Sequence, residues 1–108
     1  MTLVHANVHS DWISDSQLRD FYENAPCGYH SLDRDGTYVR VNQTELSWLG
    51  YSRDEILGKR SFADLLTPES RNRFLESHSA LQQHGWVRGM EFDLLRKDGS
   101  VLPVLLNA

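Results

Sequence analysis

The chain has 108 residues, of which 40% are apolar and 24% charged, and its formal charge is −4. That composition suits one small globular domain and excludes intrinsic disorder. Its eleven Lys and Arg residues are scattered along the sequence. Nucleic acid and charged membrane surfaces call for clustered basic residues, so neither is expected as a partner.

Residues 1–13 are without periodicity and read as a flexible leader. His5 and His9 stand four apart, a metal-chelating spacing on a helix, but no further ligand lies near them, and no metal site is assigned. The single cysteine permits no internal disulfide and fits a reducing, cytoplasmic setting. No apolar run approaches the ~20 residues of a membrane span, which leaves room for a membrane-anchored parent protein.

The stretch "SDSQLRDFYENAP" predicts a helix over 14–25, capped by Ser14 or Asp15 and stopped by Pro26. Leu18, Phe21 and Tyr22 form one apolar stripe, a candidate dimer or signal-transmission surface. "CGYHSLDRDGTYVRVN" follows, with strands expected at 28–33 and 37–42 around an Asp35-Gly36 turn. Cys27 and His30 suggest a nucleophile and its base, yet an odd separation puts them on opposite faces of a regular strand. Asp33 and Asp35 offer a carboxylate pair, but Asp beside a turn ordinarily bonds the backbone. No catalytic residue is assigned to either pair.

Asn42 and Glu45, and again Ser52 and Glu55, have capping-box spacing and open two short helices. Gly50 and Gly58 stand where helix C-caps take glycine, and "SFADLL" is a third helical turn. Thr67 and Pro68 begin a long helix that Gly85 ends, with Phe74, His78 and Leu81 on one face. Met90, Phe92 and Leu94 alternate with acidic residues in a strand. A turn at Gly99 leads to "VLPVLLNA", where Pro103 points to an edge or a bulge. The order predicts an α+β fold, an antiparallel sheet with its helices on one face.

The ordered set Asp33, Gly36, Asn42, "LGYSRDEILGK" and "RKDGS" resembles a PAS domain over residues 14–108, with its core at 27–108. The resemblance implies a five-stranded antiparallel sheet with a pocket between sheet and long helix. It implies a sensory or dimerisation module of a bacterial signalling protein, a histidine kinase of a two-component system first, or a diguanylate cyclase. The output domain would lie outside this sequence, and the fragment itself would not be an enzyme. The family's central fifth strand has no counterpart before Ala108, so the sheet is expected to close directly, or by strand exchange with another copy in a homodimer.

The cofactors of such domains make residue-level demands. Flavin photochemistry uses a cysteine where this chain has Ser61, which leaves only noncovalent flavin. Haem would take a proximal His where this chain has Phe74, with His78 one turn later. The expectation is no cofactor. A small organic ligand would be lined by Phe74, His78, Leu81, Met90, Phe92 and Leu94, with Tyr29 or His30 adding a polar group.

Overall fold

A computed structural model describes the backbone of residues 2–7, 16–85 and 88–107, and the side chains of 18–77, 83, 85 and 88–107. Chain order is β1 (Thr2–Asn7), α1 (Ser16–Glu23), β2 (Gly28–Leu32), β3 (Tyr38–Val41), α2 (Gln43–Leu49), α3 (Arg53–Ile56), a 3-10 turn (Ala63–Leu65), α4 (Pro68–His84), β4 (Met90–Leu95) and β5 (Val101–Asn107). The sheet has five strands in the order β3-β2-β1-β5-β4. No described helix is long and apolar enough to cross a membrane.

The first strand corrects the expectation of a flexible leader. Thr2–Asn7 is the middle strand, pairing Val4 with Gly28 and Ala6 with His30 on one side, and Leu3 with Leu105 on the other. The two hairpins therefore do not face an open gap. Nor is the sheet antiparallel throughout, because β1 runs parallel to both β2 and β5. Sequence pattern missed this strand because six residues of "TLVHAN" carry no turn signal and little alternation. The side chain of His5, and all of His9, lie outside the described residues.

Local chemistry explains the remaining elements. Asp33 Oδ1 accepts the amides of Asp35 and Thr37 and builds the first turn, with Gly36 at φ 84°. The carboxylate is thus occupied by backbone. Ser52 and Glu55 form the full capping box of α3. Asn42 caps α2 by accepting the Glu45 amide, but Glu45 does not reach back as a box requires. The Asn42 amide goes to the Tyr29 carbonyl instead. Gly50 is a left-handed C-cap as expected, whereas α3 ends on an extended Leu57. Gly58, one residue on at φ 69°, sends its amide to the Tyr38 carbonyl.

Pro103 lies within β5, opposite Asp93 of β4. Proline is tolerated because Asp93 turns both its backbone groups away from β5. Its amide donates to Ser70 Oγ at 2.8 Å, and its carbonyl accepts the Thr67 amide at 3.0 Å. The same bonds tie the second hairpin to the start of α4. The core between sheet and helices contains Tyr38, Leu46, Leu49, Ile56, Phe62, Phe92, Leu94, Val104 and Leu106, all buried.

Candidate functional site

Among the described residues, this apolar core holds an ionisable cluster. The inward residue of β2, His30, is 1% exposed, and Glu45 and Tyr38 are 0% exposed. His30 Nδ1 sits 2.9 Å from both carboxylate oxygens of Glu45. The Tyr38 hydroxyl donates to Glu45 Oε2 at 3.1 Å. Three elements bring them together: strand alternation turns His30 inward, the Asn42 cap fixes Glu45 in the first turn of α2, and β3 opens on Tyr38.

With Tyr38 donating to Oε2, the carboxylate is the acceptor and His30 Nδ1–H its donor. The opposite ring nitrogen, Nε2, is buried without a hydrogen-bond partner. A buried polar atom left unpaired costs about 1–3 kcal/mol, so it is a feature that a purely structural core would shed. Aromatic rings surround it, with Tyr38 at 4.9 Å and Phe62 at 5.0 Å between centroids. Phe62 in turn meets Phe74 at 5.1 Å, and Phe74 meets Phe92 at 5.7 Å.

Burial pushes the Tyr38 phenol well above its ordinary 10.0, and the Glu45 carboxylate and the hydrogen bond to it add to the rise. Burial raises Tyr22 as well. The folded state thus favours neutral phenols. Their contribution is fully present below pH 10 and is lost as pH rises from there toward the folded pKa. Stability is expected to fall by about 1.4 kcal/mol per pH unit above pH 10 for the fully buried Tyr38, and by less for Tyr22, which solvent partly screens. Tyr38→Phe should flatten that slope in urea titrations between pH 9 and 11, and an unchanged slope would refute the assignment.

The cluster is also sterically tight. A Cβ added at Gly28 would lie 2.9 Å from Trp48 Cζ3 and 3.0 Å from Glu45 Oε1. Gly28→Ala is expected to cost about 1–3 kcal/mol by overpacking, measured as a lower urea midpoint.

Of the residues picked from sequence, the structure gathers His30, Phe74, Phe92 and Leu94 on the core side, with Met90 packed against them. Tyr29 is not among them: it faces away, its ring 5.7 Å from Tyr22 of α1. The side chains of His78 and Leu81 lie outside the described residues. Cys27 precedes β2 rather than lying in it, and His30 is engaged by Glu45. The stripe on α1 splits as well. Phe21 is 75% and Leu18 45% exposed, whereas Tyr22 turns inward and its hydroxyl donates to the Tyr29 carbonyl. Sequence reasoning missed Glu45, Tyr38 and Phe62. Glutamate three residues after an N-cap reads as a capping partner, and nothing local says that it turns inward.

A family model described as "PAS domain" matches residues 26–108. The chain is 29% identical over 94 residues to phosphoserine phosphatase RsbP of Bacillus subtilis, covering 87% of this chain and spanning 22% of that protein. Among solved structures, the PAS domain of an HTR-like protein from Haloarcula marismortui is 32% identical, with a TM-score of 0.64 over 85% of this chain and 79% of that one. The PAS domain of a Colwellia psychrerythraea protein superposes with a TM-score of 0.71 at 22% identity, over 81% of this chain and 73% of that one, a likeness of fold alone. The domain is a sensory signalling module and not itself catalytic, and on the match over 26–108 the chain belongs to the PAS domain family.

Proposed function

We propose that this domain is the ligand-sensing input of a cytoplasmic bacterial signalling protein, working as a homodimer through α1 and passing its state to an output domain. The observation that carries the reading is the buried, unpartnered Nε2 of His30, held in place by Glu45. A small organic molecule with one hydrogen-bonding group would satisfy that atom, and the rings of Phe62, Phe74 and Phe92 supply apolar walls. Occupancy would repack α2 against the sheet through Glu45, a change that neighbouring elements can transmit.

For the output, likeness to RsbP supports a phosphatase. A histidine kinase or diguanylate cyclase rests on family likeness alone. Native mass spectrometry of protein purified from its host tests the input. A small-molecule adduct on the wild-type chain, lost in His30→Leu, is the expected result. Bare chain in both would overturn ligand sensing at this cluster. Phosphatase and phosphotransfer assays of the full-length protein decide the output.

A further inference from the structure

We propose that the groove between α1 and β3 binds a small dianion, carboxylate or phosphate, held by the guanidinium groups of Arg19 and Arg40. The chain as a whole is acidic, at −4, and its basic residues are scattered in sequence. The fold nevertheless brings Arg19 of α1, Arg40 of β3 and Arg53 of α3 to one groove of about 260 Å³. Arg53 is already engaged: it pairs with Glu23 and donates to the Val41 carbonyl at 3.0 Å. Arg19 and Arg40 are not. Among the described residues, neither side chain has a hydrogen bond or an ion pair. Arg40 is half-buried, and its charge and that of Arg53 oppose the rise that burial causes in the Tyr22 phenol. Glu23 balances one of the three cations, so two positive charges are left in the groove.

Like charges held together repel, and a ligand that neutralises both relieves the repulsion. Guanidinium suits oxyanions because its planar fork meets two oxygens at once. The carbon body of such a ligand would lie on Val39, Leu57 and the ring of Tyr22, which supply the apolar part of the lining. A peptide strand fits less well. β3 is an edge of the sheet, but its outer backbone is already bonded. The Tyr38 amide donates to the Arg60 carbonyl, the Tyr38 carbonyl accepts the Gly58 amide, and Arg53 takes the Val41 carbonyl. Strand addition needs those groups free. An anion bridging Arg19 and Arg40 would add a tie between α1 and the sheet beside the Arg53–Glu23 pair. His30, Glu45 and Tyr38 do not line this groove, so the site is separate from the buried cluster.

The probes are succinate and inorganic phosphate, with sodium chloride at matched ionic strength as the control, since salt screens surface charge. Calorimetric titration is expected to show one site per chain. Succinate binding points to a dicarboxylate ligand, and phosphate binding to a phosphorylated one. The bound anion should raise the thermal midpoint by roughly 5–10 °C at ten times its Kd. Arg19→Gln and Arg40→Gln should each weaken binding roughly tenfold or more. Neither should move the midpoint of the free chain by more than about 4 °C. Responses no larger than with sodium chloride would overturn the proposal, as would binding that survives both substitutions. Binding of a hexaglutamate peptide without either small anion would also overturn it, and would give the groove to an acidic protein partner.

Discussion

Glu45→Ala is expected to destabilise the domain by about 3–5 kcal/mol, read from urea unfolding. Glu45 is fully buried and serves two donors, His30 Nδ1 and the Tyr38 hydroxyl. Removing it leaves both unpaired in an apolar interior, with a void where the side chain stood. Against a whole-domain stability of roughly 5–15 kcal/mol, that is a large share. Glu45→Gln keeps the shape and one acceptor, and should cost about half as much. The decisive comparison is the triple change His30→Leu, Glu45→Leu and Tyr38→Phe. Replacing all partners removes the need to satisfy any, so most of the loss should return. A triple variant that is stable yet binds nothing would separate sensing from folding. A loss below about 1 kcal/mol in Glu45→Ala would mean that water reaches the cluster.

The second large effect is at Asn42. Its Oδ1 accepts the amides of Tyr29 and Glu45, at 3.0 and 3.1 Å. Its Nδ2 donates to the carbonyls of Tyr22 and Cys27, at 2.8 and 2.9 Å. One fully buried side chain therefore joins α1, β2 and α2. Asn42→Ala is expected to cost about 3 kcal/mol, roughly 1 from the lost helix cap and the rest from backbone groups left unpaired. Asn42→Asp keeps the two acceptor bonds and loses both donations, while adding a carboxyl beside Glu45. It should therefore lie close to the alanine variant rather than to wild type. Hydrogen exchange gives the signature: α1 amides should lose protection while those of α4 keep theirs.

How much of this was legible in sequence follows the range of each signal. Turns and caps are local, so Asp33, Gly36, Ser52 and Pro68 announced their roles, and the hairpins and helices lie within a few residues of where they were expected. The inward face of β4 followed from alternation, with Phe92 and Leu94 buried. The site was legible only in its apolar half. Tyr29 and His30 could be named as alternatives because strand period puts them on opposite faces, but which of them turns inward needed the register with β3. Glu45 was hidden because its cap role and its inward turn fit the same spacing. Strand β1 was invisible because its pairing partners, β2 and β5, lie some 24 and some 100 residues along the chain, where no local pattern reaches.

That last fact bears on how the sheet is made. Thr2 pairs with Val104 and His5 with Asn107, so β1 closes contacts across nearly the whole sequence. Such non-local pairing is the slow part of folding, since the loop entropy is spent before the contacts return anything. Of the five described strands, β1 emerges first during synthesis, yet its ladder with β5 is the last that can form. At about 5–20 residues per second it waits some 5–20 s for β5, and over that interval whatever holds an unpaired strand soluble decides whether the sheet closes on its own chain.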